Sequence, residues 1–79
     1  MNTFNFPEDF DKIYAYVSHA NEDVFGETLA GNLVIYYFDN ENKWLMVKTY
    51  VNDDHYNLNS YSADGKMVDS LISVAEPLD

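Results

Sequence analysis

The 79 residues include fourteen Asp and Glu, four Lys, no Arg and no Cys, for a formal net charge of −10. This excludes disulfides and thiolate metal sites. It also leaves too little cationic charge to displace counterions from DNA or RNA. The length predicts one domain, residues 1–79, and 47% apolar with 16% aromatic residues argues against disorder.

Residues 5–20 are predicted to form a helix. Asn5 and Glu8 have capping-box spacing, and Pro7 suits a first turn. Glu8, Asp9 and Asp11 place negative charge at the N-terminus. Phe6, Phe10, Ile13, Tyr14 and Val17 recur with helical spacing, Glu8 and Lys12 are four apart, and Asn21 is the expected stop. Residues 21–32 are less regular, with Gly26 and Gly31 as punctuation. Val24, Phe25 and Leu29 are expected to anchor this stretch to the core, as a short helical turn or the start of a strand.

From residue 33 the pattern turns to β. Residues 33–38 are β-branched and aromatic, and residues 39–43 are a polar turn. Residues 44–51 form a second strand with Leu45, Val47 and Val51 on one face and Trp44, Met46, Lys48 and Tyr50 on the other. Residues 52–54 turn the chain. Residues 55–62 alternate Tyr56 and Leu58 against Asn57 and Asn59. Residues 63–66 form a hairpin turn with Gly65 at the positive-φ position. Residues 67–75 fit either a helix or a strand. The preceding Asp-Gly turn favours a strand, and Pro77 ends it.

The predicted fold class is α+β, an N-terminal helix on one face of a three- to four-stranded antiparallel meander sheet. The other face is expected to show tyrosines, asparagines and acids. Residues 1–6 have neither a basic region nor an apolar run typical of a leader. The longest fully apolar run, residues 33–38, is too short for a bilayer. A cytoplasmic location is expected, the host cytosol if the chain is phage-encoded.

Catalytic and metal constellations are thin. Asp53, Asp54 and His55 are the best metal-like cluster, but neighbours at a strand end point in opposite directions. Residues 39–50 fail the calcium-loop pattern, with Trp44 sixth and Tyr50 twelfth. His19 adjoins Ser18, which is not triad geometry. Phosphoryl transfer needs Arg, Lys or a metal clamp, and Gly26, Gly31 and Gly65 form no phosphate loop. Asp69-Ser70-Leu71 matches the tripeptide that carries the prosthetic group in acyl carrier proteins. Those carriers are helical bundles with this serine opening a mid-chain helix, whereas here strands precede it, so Ser70 reads as a strand residue. No catalytic residue, metal or cofactor is expected, and the chain is not expected to be an enzyme.

The charge gives the functional expectation. Acids outnumber lysines in every third of the chain, so the surface repels phosphates and anionic membranes and steers towards basic surfaces. Carboxylates two apart on a strand repeat at roughly 6.6–6.8 Å, and those three or four apart on a helix at roughly 5–6 Å. Such ladders can fill a groove built for phosphates. The chain resembles phage-encoded anti-defence inhibitors, the anti-CRISPR and anti-restriction proteins, in size and charge. That resemblance implies an acidic inhibitor and nucleic acid mimic that binds a basic protein or nucleoprotein complex, with no direct nucleic acid or membrane binding. The expected contacts are Asp9, Asp11, Glu22, Asp23, Glu27, Asp53 and Asp54, with Tyr56 and Tyr61 beside them. Tyr36 and Tyr50 are further candidates for a recognition face. The alternatives are an immunity protein or antitoxin against a cationic nuclease, or a homodimer joined through an open sheet face or edge strand.

Overall fold

Helix α1 spans Phe10–Ala20 in the computed structural model, which describes residues 4–28 and 30–77. Ile13 and Val17, four apart, are its buried positions, flanked on the same stripe by half-buried Phe10 and Tyr14. The helix starts five residues later than the capping-box reading expected. Asn5 does not cap it. Instead the Asp9 carboxylate accepts the Asn5 N–H at 3.0 Å and the Asn5 carbonyl accepts the Asp9 N–H at 2.9 Å. This closes residues 5–9 into a turn that lets Phe6 pack against Tyr61 at 5.0 Å between ring centroids. Lys12 pairs with Asp9 at 3.9 Å rather than with Glu8, on the surface, where such a pair adds little. Asn21 ends the helix in the left-handed conformation, φ 57°, as its position predicts.

Five strands follow: β1 Val24–Glu27, β2 Leu33–Asp39, β3 Trp44–Tyr50, β4 His55–Tyr61 and β5 Met67–Ala75. They form one antiparallel meander in sequence order. The sheet therefore has five strands where three or four were expected. The added one is β1, whose four residues carry a mid-strand glycine and give little β signal. Residues 67–75 are a strand, with two register irregularities against β4, and Ser70 lies within it. Leu29, expected as an anchor, lies outside the described residues.

The core lies between α1 and the sheet: Ile13, Val17, Val24, Val34, Tyr36, Leu45 and Val47, with Phe4, Phe6, Phe10, Tyr14, Phe38 and Tyr61 packed around it. Leu45 and Val47 share one face as expected, and it is the face the helix covers, but Val51 lies beyond β3 and is exposed. Phe25 is no anchor, because alternation along β1 sends Val24 inward and Phe25 outward. α1 covers β2 and β3. The Tyr14 hydroxyl donates to the Lys43 carbonyl at 2.8 Å, tying the helix to the β2–β3 turn. Among the described residues no helix is long and apolar enough to cross a membrane.

Candidate binding surfaces

Cross-strand partners share a sheet face, so the register defines the surface opposite the helix. One row across it reads Phe25, Ile35, Lys48, Leu58 and Leu71. Beside it lie Tyr37 and Met46, and Tyr50 pairs with Tyr56 further along. Trp44, opposite Asp39, completes an apolar and aromatic face. The expected tyrosines, Tyr37, Tyr50 and Tyr56, are on this face, with Glu27, Asp39 and Asp69 at its borders, but its centre is apolar and the strand asparagines are not on it. Asn57 and Asn59 point to the helix side, where the Asn57 side-chain carbonyl accepts the Ser73 N–H at 3.0 Å and that of Asn59 accepts the Ser70 hydroxyl at 2.7 Å.

Lys48 sits within this face. Its Nζ is 4.3 Å from the Tyr56 ring centroid, 5.2 Å from that of Tyr50 and 3.7 Å from the Glu76 carboxylate. The Tyr50 hydroxyl donates to the same carboxylate at 2.9 Å. Burial works against the lysine charge, but the hydrogen bond and charge of Tyr50, with Glu76 and Tyr56, hold its pKa above the ordinary lysine value. Its cation is thus spent inside the surface, over aromatic rings and a carboxylate.

The tyrosines divide between the two sides of the sheet. Tyr50 and Tyr56 lie on the open face. Tyr36 is fully buried, which overturns its reading as a recognition residue, and Tyr61 packs against Phe6 and Phe10. Sequence spacing could not separate these pairs. Trp44, Met46, Phe25 and Leu58 were not anticipated as site residues, although the alternation of residues 44–50 places Trp44 and Met46 together on one face.

The expected carboxylate contacts fall into two groups. The β2–β3 turn, the β4–β5 turn and the start of β1 lie at one end of the sheet. Asp9 and Asp11 are near that end, since Phe10 packs against Tyr61 and sits beside Gly65. Glu22 and Asp23 are there too, lining a cleft of about 240 Å³ with Val17, Tyr37 and Asn40. Glu27, Asp53 and Asp54 are at the other end, with Glu76, whose N–H donates to the Asp54 carbonyl at 2.7 Å. The seven-residue strands separate the ends by roughly 20 Å. Every one of the seven is exposed except Asp9, which is half-buried.

Two other carboxylates build turns. Asp39 accepts the side-chain amide of Asn42 at 2.9 Å and the N–H groups of Asn42 and Glu41, and these bonds lower its pKa, the Asn42 side chain foremost. Asp64 is lowered in the same way by the Ser62 hydroxyl, then the Lys66 N–H. Both therefore hold their charge to lower pH than an ordinary aspartate. Among the described residues no three His, Asp or Glu side chains gather as a metal-holding group. Asn52 occupies the polar contacts beside Asp53, accepting the Asp54 N–H at 2.8 Å and facing His55 Nδ1 at 3.3 Å.

Three tyrosines set the alkaline limit. Burial raises the pKa of Tyr36 from 10.0 to about 12, helped by the Asp9 charge. Burial also raises Tyr37 against the opposing Lys48 charge, and Tyr61 against a hydrogen bond from Asn59. An unfolded tyrosine releases its proton near pH 10, while the folded chain keeps it longer. The stabilisation is therefore complete below pH 10 and is lost as pH rises from 10 towards 12. The denaturation midpoint is expected to fall across that window, with tyrosinate absorbance rising together with unfolding. A midpoint that stays level to pH 12 contradicts the assignment.

Compared with known proteins, the chain matches no family model, no curated protein and no solved structure.

Proposed function

We propose that the chain is a non-catalytic binding protein that takes a basic, nucleic-acid-binding protein as its partner and inhibits it by standing in for phosphate. The observation that carries this reading is the arrangement of charge around the open face. An apolar, aromatic surface is flanked at both ends of the sheet by exposed carboxylates, and its lysine is already engaged by Glu76. An apolar centre with a charged rim is the usual anatomy of a protein interface. The carboxylate excess supplies long-range attraction to a cationic groove. Phage-encoded anti-defence inhibitors fit this chemistry, and an immunity protein against a cationic nuclease is the same chemistry with a different target.

The test is retention of a basic partner on the immobilised chain, with duplex DNA as competitor and a salt series. Two variants accompany it, Glu22→Gln with Asp23→Asn at one end and Asp53→Asn with Asp54→Asn at the other. Binding is expected to fall steeply with salt, to be displaced by DNA, and to weaken about tenfold or more in each variant. Retention that ignores both DNA and the amide substitutions sinks the proposal.

A second reading, self-association through the same face, draws on the exposure of Phe25, Leu33 and Leu71. Sedimentation velocity separates the two: a dimer that persists at low salt, where like charges repel most, favours the second.

A further inference from the structure

The open face ends at β5, and β5 is unlike the other strands. It is the longest, at nine residues, and is the outer strand of the sheet beside β4. Eight of its nine residues are exposed. Met67, Val68, Leu71 and Ile72 stand at 54%, 43%, 46% and 68% exposure. An outer strand presents backbone N–H and C=O groups without a strand to pair with, and proteins commonly blunt such edges with lysine, proline or short length. Met67–Ala75 has neither lysine nor proline. Its guard is Asp69, whose carboxylate accepts the N–H of Ser70 at 2.9 Å.

We propose that β5 is the docking edge for the basic partner: an extended segment of the partner adds to it as a sixth strand. On one face apolar side chains of that segment lie against Ile72; on the other, where Asp69 and Leu71 sit together, a lysine or arginine lays its stem along Leu71 and draws the Asp69 carboxylate away from the Ser70 N–H. Strand addition takes affinity from main-chain hydrogen bonds and specificity from alternate side chains. The required charge is written in the edge. Asp69 is the one charged residue of Met67–Ala75, and no cation lies within the strand. A second copy of the chain brings another net charge of −10 and another edge lacking a cation, so a cationic segment is the complementary occupant. This inference rests on the functional reading above and adds the surface and the mode.

The probe is a peptide of alternating lysine and valine. Its control is the same peptide methylated on every backbone nitrogen, which keeps charge and side chains but leaves neither edge an N–H to pair with. Binding to the whole chain is followed by NMR and amide hydrogen exchange at low salt. The unmethylated peptide is expected to bind about tenfold or more tighter than the control, to slow exchange along β5, and to lose most of that advantage in Ile72→Lys, which adds an edge lysine at an exposed position. Equal binding of both peptides, or protection elsewhere than β5, overturns strand addition and leaves the charge-based reading standing. Failure of both peptides to bind at low salt overturns both. A dimer with β5 amides already protected before peptide is added makes a second copy the occupant and overturns the proposal.

Discussion

Tyr36→Ala is expected to destabilise the domain by about 3–5 kcal/mol. A domain of this size holds only roughly 4–12 kcal/mol in total, so much of the variant is expected to be unfolded at 37 °C. Tyr36 is fully buried. Phe4 meets its ring edge-on at 5.9 Å and Phe6 lies at 6.5 Å. Its strand partners on either side are Val24 and Val47. The ring thus joins the N-terminal segment to three strands, and alanine removes all of it. Tyr36→Phe tests the other half of the side chain. The hydroxyl is buried with no hydrogen-bond partner among the described residues, and an unpaired buried hydroxyl costs about 1–3 kcal/mol. Phenylalanine keeps the ring and removes that cost, so its denaturation midpoint, read through Trp44 fluorescence, is expected to equal or exceed that of the parent. A clear loss in Tyr36→Phe contradicts this account of the hydroxyl.

Gly26→Ala is the second large effect, about 1–3 kcal/mol of destabilisation. A Cβ on Gly26 would lie 2.8 Å from Cε2 of Tyr36, well inside contact distance, and 3.6 Å from the Phe4 nitrogen. The ring cannot swing clear because Phe4 and Phe6 hold it. Glycine in mid-strand commonly marks such a close approach. The coupling is measurable. If the ring is the obstacle, the cost of Gly26→Ala is expected to shrink by about 1 kcal/mol or more when Tyr36 is leucine. Additive costs in the double variant rule that cause out.

The charge-dependent binding and β5 docking experiments probe a different property, because the carboxylates concerned contribute little to the core. The stability variants can fail while the functional proposal stands, and the reverse is equally so.

Much of the architecture was legible from neighbouring residues. The stripe Phe10, Ile13, Tyr14 and Val17, the alternation of residues 44–50, the polar run after Asp39 and the Asp64–Gly65 pair are local signals, and each became the element it predicts. Gly65 adopts φ 83°, the conformation its turn requires. The start of α1 was misjudged because two arrangements compete at Asn5. The Asp9 carboxylate, which capping-box spacing ignores, takes the Asn5 N–H.

The sequence by itself determined an acidic α+β chain with an N-terminal helix and an antiparallel meander, because periodicity, turn chemistry and charge are properties of adjacent residues. The tertiary structure decided which side of the sheet the helix covers. Both sides of β3 are apolar, so Leu45 and Val47 were chosen over Trp44 and Met46 by their fit beneath Ile13 and Val17. It also decided where the charges meet. Asp23 and Glu27 are four residues apart in sequence, yet a strand between them carries them towards opposite ends of the sheet. Local spacing fixes which side chains alternate, but only the register and packing of distant segments fix what stands beside them.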